Sequence, residues 1–148
     1  MASGRGFNIG EPNLYNEFDA QEAKDGRWAI GIAPYVNKKS GTTQYYTKKY
    51  TDKSNMVGYG GNDWYELRFA DVYLMLAEAY ERDSQTDNAI AYLNKVRTRT
   101  GNNLSDYKTS LQDAKYAAKY SDLRAAIFHE RRLELFFENV RWFDLQRL

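Results

Sequence analysis

Trp64-Tyr65-Glu66-Leu67-Arg68-Phe69-Ala70-Asp71-Val72-Tyr73-Leu74-Met75-Leu76-Ala77-Glu78-Ala79-Tyr80-Glu81-Arg82 is the stretch whose reading decides the fold. Between Phe69 and Ala79 it is apolar on most faces, which predicts a helix over 64–82 buried by several neighbours. Asp63 and Glu66 have the spacing of a capping box, with Asp in the Ser/Thr role, and set the expected start. A second helix is expected over Asn88–Thr100, capped by Thr86 or Asp87, with Ile90, Leu93 and Val96 at helical spacing. Arg97 and Arg99 in its last turn and Gly101 beyond supply C-terminal chemistry. The pair has tetratricopeptide-like spacing, with Leu76-Ala77-Glu78-Ala79-Tyr80 answered by Ala89-Ile90-Ala91-Tyr92-Leu93. No second copy follows, and one such unit cannot bury its own apolar face, so other helices or further chain must cover it.

Working outward, a short helix is expected near Leu111–Lys119 behind Thr109 or Ser110. A longer one is expected over Leu123–Glu138 behind Ser121 or Asp122, with a break at Asn139 and a last helical turn or two over Trp142–Leu148. Towards the N-terminus the character changes. Nine of the ten glycines and both prolines precede residue 62. That part reads as loops, turns and short strands. Strands are expected at Ala29–Val36 and Gln44–Thr51, joined as a hairpin through Asn37-Lys38-Lys39-Ser40-Gly41, with a short helix at Asn13–Phe18. The expectation is one mainly α domain, with a loop-rich segment over 1–61 and a helical region over 62–148.

Composition bounds the function. The chain has 148 residues, with 21 Lys+Arg against 20 Asp+Glu. Residues 1–74 hold nine of each sign. A nucleic-acid binder running on bulk charge is therefore not expected. An apolar fraction of 43% and an aromatic fraction of 16% exclude a disordered chain. There is no cysteine and one histidine, His129, so thiolate chemistry and Cys- or multi-His metal sites are ruled out. No apolar run is long enough to span a membrane as a helix, and the first residues carry no signal-peptide core.

No G-x-S-x-G and no phosphate-loop motif occurs. Gly4-Arg5-Gly6 and Gly58-Tyr59-Gly60-Gly61 read as loop punctuation. His129, without a nucleophile or second ligand near it in sequence, reads as structural. Glu130, Glu134 and Glu138 share one helical face. They are either an acid/base carboxylate pair or a Glu–Arg lattice that locks helices, with Arg131, Arg141 and Arg68 as partners. Their apolar flanks favour the lattice. The aromatic residues Trp28, Tyr35, Tyr45, Tyr46, Tyr50 and Tyr59 are either ordinary strand packing or a platform for sugar rings. On such a platform sugar C–H groups pack on the rings while nearby Asn and Lys bond the hydroxyls. Asp52-Lys53-Ser54-Asn55 and Asn62-Asp63 lack the ligand density of a calcium loop, so no metal or cofactor is expected.

Three long motifs now resemble one family. Arg68-Phe69-Ala70-Asp71-Val72-Tyr73-Leu74-Met75 with Ala77-Glu78-Ala79 resembles the R-x-A-[ED]-V-Y-L-M-x-A-E-A helix of SusD/RagB proteins. Leu93-Asn94-Lys95-Val96-Arg97-Thr98-Arg99-Thr100-Gly101 is similar to their L-N-x-V-R-x-R-A-G, with Thr100 for the usual Ala. Ile127–Arg147 resembles their I-x-x-E-R-R-x-E-L-x-x-E-x-x-R-x-x-D-L-x-R ending, with Asn139 where Gly is common. Gly6-Phe7 through Pro12, Leu14 and Phe18, then Asp25-Gly26-Arg27, resembles their N-proximal segment. The resemblance implies a helical, tetratricopeptide-like scaffold. It also implies a surface lipoprotein of the Bacteroidetes outer membrane, touching the membrane only through its lipid anchor. Such a protein is no enzyme: it captures oligosaccharides and passes them to a TonB-dependent transporter of the SusC type. Members are far longer, so this chain is expected to be a C-terminal part. Arg68, Glu78, Arg97, Glu130, Arg131, Glu134, Arg141 and Asp144 would form its structural charge network. Trp28, Tyr35, Tyr45, Tyr46 and Tyr59 are the expected ligand contacts. The alternatives are a free-standing tetratricopeptide-like module that binds a protein partner, and a glycosidase using Glu130 and Glu134.

Overall fold

The computed structural model describes residues 9–21, 25–51 and 61–148, with 19–21 as backbone only. The chain divides into two compact units, residues 1–64 and 65–148. Tyr59, both glycine runs apart from Gly61, and Asp52–Asn55 lie outside the described residues.

The first unit holds β1 (Ile9–Gly10), α1 (Pro12–Gln21), α2 (Gly26–Gly31), β2 (Ile32–Val36) and β3 (Thr43–Thr47). The three strands form one antiparallel sheet in the order β1-β3-β2. The hairpin is where the sequence places it, and its turn chemistry is explicit. Asn37 Oδ1 accepts from the Lys39 amide at 2.9 Å, and the Gly41 amide donates to the Asn37 carbonyl at 2.8 Å. Gly41 sits at φ 69°, the left-handed region glycine enters freely. Both strands are shorter than expected. Residues 29–31 are helical, because Asp25 caps α2 by accepting from the Arg27 amide and starts a helix ahead of the strand. Residues 48–51 turn away after Thr47.

The second unit holds α3 (Phe69–Arg82), α4 (Thr86–Arg97), α5 (Tyr107–Ser110), α6 (Ala114–Tyr120), α7 (Leu123–Glu134) and α8 (Arg141–Arg147). Leu74, Leu93, Val96, Ala126 and Ile127 form its core where α3, α4 and α7 meet. Several boundaries depart from expectation, each for a tertiary reason. The helix expected from Trp64 begins at Phe69, and Asp63 with Glu66 forms no capping box. Arg68 stays extended (φ −141°, ψ 160°) because its guanidinium is drawn to the end of α7. Phe69, expected inside a buried helix, is 77% exposed at its tip. Thr86 and Asp87 lie inside α4, whose N-cap is Gln85. α4 stops at Arg97, where the buried Asn102 amide donates to the Val96 carbonyl at 2.8 Å and closes the end before Gly101. The helix expected near 111–119 is α6, capped by Asp113 rather than by Thr109 or Ser110, and a separate short helix, α5, capped by Asp106, precedes it. Asp122 caps α7 by accepting from the Ala125 amide. That helix ends at Glu134, four residues early, because Phe137 and Asn139 both take positive φ (59° and 61°). Two left-handed residues in three cannot continue a helix.

Candidate functional site

Register divides the aromatic residues of the first unit between two faces. Tyr45 pairs across the sheet with Pro34, and Tyr46 with Ala33. Neighbours along a strand point to opposite faces. Tyr45 therefore shares a face with buried Ile32, and Tyr46 with Tyr35 and Ile9. The Tyr45 face is the inner one. Tyr15 of α1 stacks on Tyr45 with ring centroids 4.4 Å apart, and Trp28 of α2 meets Tyr15 at 5.8 Å. Phe18 and Ile32 are buried. The Trp28 indole Nε1 is buried without a hydrogen-bond acceptor among the described residues.

Trp28 is held by its own neighbours. Asp25 takes the Arg27 guanidinium on both oxygens, at 3.0 Å from Nε and 2.8 Å from Nη2, and both side chains are buried. A bidentate pair of this kind fixes geometry as well as energy. The opposite face carries Tyr35 (41% exposed), Ile9 (44% exposed) and half-buried Tyr46. Tyr35 and Tyr46 are diagonal neighbours, within reach of one ligand ring. So the residues expected to act together separate: half-buried Trp28 and Tyr45 meet Tyr15 on one side of the sheet, while Tyr35 and Tyr46 lie on the other face. Tyr15 was not singled out in the sequence, because nothing in Asn13–Phe18 marks which side the sheet lies on. Tyr50 and Trp64 stack at 5.0 Å and 15°, a second aromatic pair that local pattern does not reveal.

Among the described residues of the second unit, the buried charges fall into three ion-pair groups, beside the more exposed pairs Arg124–Glu81 (2.9 Å) and Lys108–Asp87 (3.4 Å). Arg68 donates to Glu134 Oε1 at 2.6 Å, to the Glu134 carbonyl at 2.7 Å and to both Glu138 oxygens at 2.8 Å. Arg99 lies 3.1 Å from Glu134. Burial opposes the charge on Arg68, but the hydrogen bonds and attraction of Glu138 and Glu134 outweigh it, so its pKa is pushed up. Arg97 is almost fully enclosed. It donates to Glu130 at 2.8 Å, to Ser110 Oγ at 2.8 Å and to the Ser105 carbonyl at 3.2 Å, with the Tyr116 ring against it at 5.0 Å. Arg131 does not join the glutamates. It bridges Asp71 (2.8 Å) and Asp144 (2.9 Å). Arg147 links Asp144 (2.6 Å) to Glu78 (3.2 Å), which also holds Arg82. Arg141 opens α8, half-buried.

His129 is buried and stacks on Tyr120 at 3.9 Å, with Tyr116 edge-on at 6.4 Å. Glu130, Glu134 and Glu138 each face a guanidinium, so none is disposed as a proton donor to a substrate. Among the described residues no group of three His or acidic side chains converges as a metal site, and no helix is long and apolar enough to cross a membrane.

Comparison with known proteins completes the description. A family model described as the SusD family matches residues 7–148. SusD-like protein P2 of Formosa agariphila is 30% identical over an alignment covering 98% of this chain and 32% of that protein. SusD-like protein P38 of the same organism is 36% identical, covering 92% of this chain and 32% of its own length. The chain thus spans about a third of these curated relatives. No solved structure matches significantly. With three motifs in order and a mainly helical fold bearing a small N-proximal sheet, the chain belongs to the SusD family.

Proposed function

We propose that this chain is the C-terminal part of a surface glycan-binding protein that captures oligosaccharides and passes them to a TonB-dependent transporter of the SusC type. The observation that carries the reading is the family match over residues 7–148. The outward sheet face supports it. Tyr35 and Tyr46 offer rings on which sugar C–H groups pack, and Gln44 on the same face offers an amide for hydroxyls. The full-length protein would sit at the outer-membrane surface, reaching the bilayer through a lipid anchor. Its role would be binding and not catalysis, since the carboxylates a glycosidase would need are held by arginines.

The test is retention of the 148-residue chain in native gels that contain an oligosaccharide or polysaccharide panel, with the Tyr46→Ala variant beside it. Retention by at least one glycan, weakened about tenfold by Tyr46→Ala, is the expected result. A chain that ignores every glycan and binds extended peptides instead would replace this reading with that of a tetratricopeptide-like protein-interaction module.

A further inference from the structure

The hairpin that carries Tyr35 and Tyr46 has a one-sided charge. Between residues 28 and 51 there are four lysines, Lys38, Lys39, Lys48 and Lys49, and no Asp or Glu. The balance over residues 1–74 conceals this, because the compensating acids lie in other segments. The lysines come as two pairs at opposite ends of one strand. Lys38 and Lys39 stand exposed in the turn before β3, and Lys48 and Lys49 follow its last residue, Thr47. Among the described residues no carboxylate is paired with Lys38, Lys39 or Lys48. The Lys48 ammonium donates to the Ala29 carbonyl at 2.7 Å, which orders it.

Geometry limits what such a surface attracts. A five-residue strand is roughly 15 Å long, and the Debye length in physiological salt is about 8 Å. One small anion cannot serve both ends. An extended chain bearing anionic groups along its length can, and the aromatic rings between the two ends suit the faces of its sugar rings. Nucleic acid fits less well, since nine acidic residues balance the nine basic ones over residues 1–74 and leave no extended basic surface.

We infer that the outward face of this hairpin binds an acidic polysaccharide, its carboxylate or sulfate groups meeting Lys38 and Lys39 at one end and Lys48 at the other, with a sugar ring lying on Tyr35 and Tyr46. The inference rests on the proposed glycan-binding role and names its substrate class.

The experiment measures affinity of the 148-residue chain by gel retardation and calorimetry. The probes are polygalacturonate, chondroitin sulfate, neutral dextran and amylose, and a single-stranded DNA oligonucleotide. Binding to one or both acidic polymers is expected, weakening steeply as sodium chloride is raised. Polygalacturonate alone would assign carboxylate recognition, and chondroitin sulfate alone sulfate recognition. Lys38→Glu/Lys39→Glu should weaken binding about tenfold. Lys115→Glu/Lys119→Glu, with the same change in net charge on α6, should leave it within twofold. Equal loss in both variants would overturn the inference in favour of undirected charge attraction. So would DNA bound as tightly as the acidic glycans. Retention by dextran or amylose, sensitive to Tyr46→Ala and indifferent to salt, would overturn the acidic class while sparing the glycan-binding role. No retention by any glycan would overturn both.

Discussion

Residues 65–148 and residues 9–51 use the same two resources, charge and aromatic rings, in opposite directions. In the helical unit two arginines turn fully inward. Arg97 and Arg131 are buried, each spanning elements far apart in sequence. Among the described residues of the sheet unit the buried ion pair is local, Asp25 with Arg27 two residues on, and Lys38 and Lys39 are exposed. Rings are divided too: Tyr15, Trp28 and Tyr45 pack together, while Tyr35 and Tyr46 are left on the other face. The comparison teaches where function has room. A side chain that locks two helices is committed to that task, whereas one on an outer sheet face is available to a ligand.

The sharpest way to break the comparison is to remove a buried arginine from each unit. Arg97→Ala removes the guanidinium that faces the fully buried Glu130 carboxylate and should destabilise the helical unit by about 3–5 kcal/mol, read as a lower urea midpoint. Arg27→Ala should do less, about 1–3 kcal/mol, because Asp25 keeps the Arg27 amide as a partner. Equal losses would mean that reach across the chain is not what matters.

Alkaline pH probes the helical core next. Burial raises the pKa of Tyr116, whose hydroxyl is buried with no hydrogen-bond partner among the described residues. Its unfolded form ionises near pH 10 while the folded form stays neutral. Stability is therefore intact below that pH and falls above it by about 1.4 kcal/mol per pH unit. Tyr116→Phe should blunt the fall and cost little at pH 7, checked by urea titrations at pH 7 and pH 10.5.

Smaller effects sharpen the picture. Asp122→Ala removes the cap of α7 and should lower stability by about 1 kcal/mol in thermal melts. Tyr35→Ala should move the melting curve least, by under ~0.5 kcal/mol, since its ring is exposed, yet it should weaken glycan retention.

What the sequence disclosed follows from how local each signal is. The hairpin was legible because Asn37 and Gly41 determine their turn within six residues. Asp122 and the helix pair were legible for the same reason. The starts of α3 and the end of α7 were not, because Arg68, Glu134 and Glu138 settle both from positions 66 and 70 residues apart. The partners of Arg131 were misjudged likewise: helical spacing shows that Glu130, Glu134 and Glu138 share a face, but not that Asp71 and Asp144 converge on Arg131. In the sheet, alternation showed that Tyr45 and Tyr46 must part. Only the placement of Tyr15 on Tyr45 says which of them goes inside.

Among the described residues β2 pairs on one side only, so it is an edge strand, a ready template for a foreign strand. Pro34 sits at its centre and has no amide hydrogen to offer. Lys38 and Lys39 stand just past its end and repel a like copy approaching in line. β2 can thus present Tyr35 on the sheet face while its own edge resists strand addition.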